Sequence, residues 1–173
     1  MKLSLSNTEA KVSSVNPRAE LHGEDPKPAC DVNLEFALSN DELAQLHPSL
    51  KGFLYVKDED RPDLVSQADP EHATMLRFPQ LGVPVKWDGE MIGAEALFHY
   101  GTSEKSHIKL SGCVVGKFAL EPLEGGSVLT TLQVQCHPDE KQMGRLGMMV
   151  GTKVPVTITP PEAAGELVST PQE

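Results

Sequence analysis

Nothing in the 173-residue chain approaches the roughly 20 consecutive apolar residues that a membrane helix needs. The opening MKLSLSNTEAK has neither a continuous apolar core nor a small-residue cleavage site, so the expected location is the cytoplasm in which the chain is made. No run of Lys or Arg occurs: 15 bases stand against 25 acids, a net charge of −10 with a pI near 5.0. A field of that sign repels phosphate backbones, which argues against direct nucleic-acid binding and for a partner with a basic surface. Cysteine is sparse and its number odd. Cys30, Cys113 and Cys136 lie far apart in apolar strand patterns, which reads as buried reduced thiols and not as a disulfide framework.

The motifs that tie chemistry to a spacing are missing as well. Six His and three Cys form no CxxC, HxxxH or HxH, and the one close pair, Cys136-His137, puts its side chains on opposite faces of a strand, so no metal or cofactor site is expected. The G-x-S-x-G elbow is absent. Gly144 to Lys153 (GRLGMMVGTK) fails the P-loop spacing, and its glycines fall within and after a helical stretch, where packing and a C-cap explain them. Asp58, Glu59, Asp60 and Asp63 lack the glycine and terminal glutamate of a calcium-binding EF-hand loop. No internal repeat is visible.

What the chain does have is alternation. Cys30, Val32, Leu34, Phe36 and Leu38 are apolar around Asp31, Asn33 and Glu35, and Val128, Thr130, Leu132, Val134 and Cys136 alternate with Thr131, Gln133 and Gln135; both read as strands with one buried face. Glu9 to Val15 and Arg18 to His22 are weaker strands, followed by a turn at Gly23 to Pro28 (GEDPKP). Capping oxygens at Ser39, Asn40 and Asp41 predict one or two helical turns before Pro48, after which Leu50, Phe53 and Leu54 re-enter the core. Lys57 to His72, with six acids, two bases and two prolines, reads as an exposed acidic loop. Asp88-Gly89 predicts a hairpin between Val83–Trp87 and a return strand facing inward with Ile92, Ala94, Ala96, Phe98 and Tyr100. Ile108, Leu110, Val114, Phe118 and Leu120 share a face, interrupted at Gly112 and Gly116 where bulges are expected. Pro138, Asp139 and Glu140 open a short helix carrying Met143, Leu146 and Met149 that Gly151 ends, and Val154, Val156 and Ile158 form a last strand.

Seven to nine strands with two short helices predict a mainly β protein, an antiparallel β-sandwich or Greek-key barrel, with one domain over residues 1–160 and a flexible acidic tail over 161–173. No catalytic residues are expected. His99 and His107 flank the GTSEK turn, and with Trp87 and Tyr100 they are the candidate small-ligand residues. Asp58, Glu59, Asp60 and Asp63 in the acidic loop, with Met148 and Met149 on the short helix, are the candidate protein-contact residues, because thioethers pack against varied shapes.

VNPRAELHGED, ACDVNLEFALSND, LHPSLKGFLY, VKWDGEMIGAE, the HYG turn, LEGGSVLTTLQVQ and CHPDEKQMGRLGMMVG together resemble a family of small proteins encoded by tailed phages and prophages of Proteobacteria, over about Val12 to Thr159. The resemblance implies a bacterial host cytoplasm and a phage-encoded accessory role, and it brings no catalytic residues with it. Function is therefore expected to be non-enzymatic protein–protein binding by a homo-oligomer, in host defence or in replication and recombination. The alternatives are an oligomeric sandwich that sequesters a nucleotide or other small ligand, and a virion decoration or assembly protein.

Overall fold

A computed structural model of the chain describes residues 1–22, 25–57, 72–82 and 84–161. Its strands are β1 (Leu5–His22), β2 (Asp25–Ser39), β3 (Tyr55–Val56), β4 (Met75–Leu76), β5 (Val85–Trp87), β6 (Met91–Phe98), β7 (Ile108–Pro122), β8 (Ser127–Cys136) and β9 (Lys153–Thr159); the helices are α1 (Leu50–Leu54) and α2 (Glu140–Met148). Every strand pairing is antiparallel. The sheet runs β5-β7-β6-β9-β1-β2-β8, and β7 also pairs with β8, so six strands close on themselves as a barrel with β5 flanking β7. The β6–β7–β8 meander with β9 returning beside β6 is a Greek key. Closure gives each of the six barrel strands a neighbour on both sides, while among the described residues β5 pairs on its β7 side alone.

The interior is filled by side chains. Val32, Leu34, Phe98, Phe118, Leu120, Leu132 and Val134 are buried, as the alternation in β2 and β8 requires. One end of the barrel carries α2, started by a capping box in which Asp139 accepts from the Gln142 amide and the Gln142 side chain accepts from the Asp139 amide. Leu146 and Met149 face the core, and Gln142 and Arg145 donate to the Lys109 and Ser106 carbonyls at the start of β7. The other end carries a small lobe, made of a 3-10 turn (Asn40–Gln45) with its own Ser39–Glu42 capping box, α1 and the β3–β4 pair.

Several local expectations are corrected. The two weak N-terminal strands are one, Leu5–His22, and of the GEDPKP turn Pro26 and Pro28 belong to β2. Asp88-Gly89 reverses nothing: Trp87 pairs with Phe118 and Met91 with Val115, so β5 and β6 run in the same direction along one edge of β7. A Cβ on Gly89 would lie 2.6 Å from the Met1 sulfur and 2.8 Å from Trp87 Nε1, so the glycine serves close approach and not a turn. Gly93, at φ +87°, shifts the register of β6, which turns Met91 inward and leaves Ile92 72% exposed. Gly112, at φ +68°, does the same in β7, so Cys113 and Val115 point inward in place of Val114. Residues 162–173, most of the expected tail, and Val83 lie outside the described residues.

Candidate interaction surface

The lobe is built on a short helix that can bury only one face. Leu50 and Leu54, four residues apart in α1, are buried, while Phe53 between them turns outward and is 53% exposed, contrary to its expected core position. Tyr55 anchors the lobe. Its ring is buried and its hydroxyl lies 2.9 Å from the Leu123 carbonyl and 2.8 Å from that of Ser127, at the β7–β8 turn, while accepting from the Leu123 amide. Asn40 ties the lobe further by donating from Nδ2 to the Ala73 carbonyl at 2.6 Å. The Arg77 amide donates to the Leu54 carbonyl and its Nε to that of Gly52, which brings the next residue, Phe78, against Phe53 with ring centroids 5.9 Å apart. Phe78 is 48% exposed; Leu81, whose amide donates to the Phe78 carbonyl, and Met75 are exposed in the same lobe. Large apolar side chains in mutual contact at the surface mark a contact site far more often than scattered ones do.

The same lobe carries the two residues that flank the acidic sequence 58–71: Lys57 follows β3 and His72 precedes β4. Asp58, Glu59, Asp60 and Asp63 themselves lie outside the described residues. On α2, Met148 is exposed and Met149 is buried against the core, so the two predicted contact methionines face opposite ways.

The predicted ligand residues separate. His99 and His107 meet edge to face, centroids 4.9 Å apart, at the α2 end of the barrel; His99 Nε2 is 3.0 Å from Thr157 Oγ1, and Tyr100 packs against the core beside them. Trp87 sits at the lobe end, 5.9 Å from the His47 ring and paired with Phe118, about 30 Å of extended strand from the start of β7.

A polar chain emerges at the far end of β1 that sequence reasoning missed. Arg18 donates through Nε to Asp31 at 2.9 Å and through a second nitrogen to Glu20, and His137 Nε2 lies 2.8 Å from the other Glu20 oxygen. The hydrogen bond from His137, then that from Arg18, holds the Glu20 carboxyl down at about 2. The alternation of Arg18 and Glu20 on one strand face was the available signal; only the register of β1 on β2 supplies Asp31.

The three thiols are all buried. Cys30 and Cys136 are direct cross-strand partners, and burial raises the pKa of each, that of Cys113 to about 11. Thiols so placed are poor nucleophiles. Among the described residues no group of three or more His, Cys, Asp or Glu is placed to hold a metal ion, and no helix is long and apolar enough to cross a membrane. No family model, curated protein or solved structure matches the chain.

Proposed function

We propose that the chain is a non-enzymatic, phage-encoded accessory protein that acts by docking onto another protein through the Phe53–Phe78 lobe. The observation that carries this reading is the pair of exposed phenyl rings in contact on the lobe whose Lys57 and His72 flank the acidic sequence 58–71. An apolar centre on a chain of net charge −10 suits a partner with an apolar pocket and a basic rim, where the rings supply affinity and the charge speeds encounter. Affinity capture from phage-infected cells tests it. The wild-type chain is expected to retain a partner that a Phe53→Ser/Phe78→Ser double variant loses by at least about tenfold at an unchanged melting temperature. Identical capture by both chains, or none above background, defeats the reading.

A second reading, small-ligand sequestration, has the His99–His107 contact in its favour. A nucleotide at 100 times its dissociation constant would stabilise the chain by about 2.7 kcal/mol, so a thermal-shift screen without a response removes it.

A further inference from the structure

The β6–β7 ladder ends on the pair Phe98↔Ile108, both buried in the barrel. One residue further along each chain stands a histidine, and because side chains alternate, His99 and His107 meet on the outward side of the wall. Their backbones are fixed. The His99 amide donates to the Pro155 carbonyl at 3.0 Å, the His107 amide to the Glu104 carbonyl at 3.1 Å, and Arg145 of α2 holds the Ser106 carbonyl between them at 3.1 Å. Both rings are half-buried, with centres 4.9 Å apart and planes inclined at 68°.

That spacing is the one two imidazoles take on a single metal ion. With metal–nitrogen bonds of about 2 Å, ring centres lie about 4.5 Å apart when the bonds meet at a right angle and about 5.2 Å apart at the tetrahedral angle. Turning an imidazole about its Cβ–Cγ bond moves its nitrogens and leaves its centre nearly in place, so coordination asks for a turn of the His107 ring and no shift of either strand. Thr157 supplies the outer support that a ligating histidine uses. Its Oγ1 accepts from the Asn7 amide at 3.0 Å and lies 3.0 Å from His99 Nε2, so its second lone pair can take the Nε2 proton and direct the Nδ1 lone pair to a metal.

We propose that His99 and His107 bind a divalent transition metal of the zinc and copper class, His99 through Nδ1, with water in the remaining positions. Imidazole nitrogen suits these ions, whereas magnesium and calcium take oxygen. The field of a chain with net charge −10 draws cations, and two neutral ligands leave the ion its full charge. Two protein donors fall short of the four that close a structural zinc site, so the ion exchanges and keeps positions open for a carboxylate or phosphate oxygen brought from outside. The pair lies at the α2 end of the barrel, away from the Phe53–Phe78 lobe, and needs no nucleotide, so the site stands apart from both readings above.

Calorimetric titration of the full chain, first stripped with a chelator, with zinc chloride and with copper(II) chloride tests this. One equivalent of each ion is expected, copper held more tightly than zinc, and no uptake of magnesium. His99→Gln and His107→Gln should each weaken zinc binding at least about tenfold at an unchanged melting temperature, while His47→Gln at the lobe end leaves it as it was. Should a histidine variant fail to fold, imidazole nitrogen NMR of the wild type decides, since zinc is expected to shift His99 Nδ1 and one His107 nitrogen together. Absence of zinc and copper uptake, which reduces the pair to a ring contact, overturns the proposal. Zinc binding that survives either variant, or zinc shifts confined to other histidines, overturns it as well.

Discussion

The two walls of the barrel solve the same problem differently. β2 and β8 run in unbroken register from Cys30↔Cys136 to Ser39↔Ser127, with every second side chain inward. β6 and β7 bury equally apolar residues, yet their ladder slips twice, at Gly93 and at Gly112, and side-chain parity changes at each slip. A closed barrel of six strands must bend strongly, and a bulge concentrates bend and twist at one residue. One wall carries the alternation and the other carries the curvature. Strict period-2 reading is therefore sound in the first wall and fails locally in the second.

The sharpest test of this contrast is core truncation. Leu132→Ala in the regular wall and Met91→Ala in the bulged one should each cost about 2–5 kcal/mol in guanidinium unfolding, whereas Ile92→Ala, inward by simple alternation, should stay within about 0.5 kcal/mol. Equal losses at Met91 and Ile92 would break the comparison. Next comes the bulge itself. Gly112 has φ +68° and a Cβ there would meet nothing within 4 Å, so Gly112→Ala isolates backbone strain and should cost about 1–2 kcal/mol. Gly144, in α2, also has open space around its Cβ position, and there Gly144→Ala should gain about 0.5–1 kcal/mol; the same atoms added at two glycines move stability in opposite directions.

The smallest effect lies outside both walls, at the far end of β1. The Glu20 carboxyl titrates at about 2 in the folded chain against an ordinary value of 4.5, so its bonds to His137 and Arg18 stabilise fully above about 4.5 and lose their effect as pH falls towards 2. The melting-temperature gap between wild type and Glu20→Gln should close over that interval. The gap produced by Leu132→Ala should not follow it.

How far the sequence was legible tracks these same features. Cys30 to Leu38 and Val128 to Cys136 could be read residue by residue because neither strand contains a residue at positive φ. The mainly β class and the α2 cap followed from equally local signals. Asp88-Gly89 misled because a turn dipeptide describes what the backbone can do, while the long β7 offered β5 and β6 one common edge on which to lie end to end. The lobe surface was hidden for a related reason. Phe53 reads as core on its chemistry, and only the brevity of α1 and the Arg77 hydrogen bonds that bring up Phe78 turn it outward. His99 and His107 were legible as a pair because they bracket one short turn, whereas the separation of Trp87 from them depends on the path of β7 across the molecule.

The silent thiols have a practical corollary. With Cys30, Cys113 and Cys136 sealed on three adjacent strands, a reagent such as a maleimide can reach them only when the wall parts, so labelling speed becomes a clock for barrel breathing. A single cysteine engineered onto the outside would react many orders faster, so a dye could be placed at will without removing any native residue.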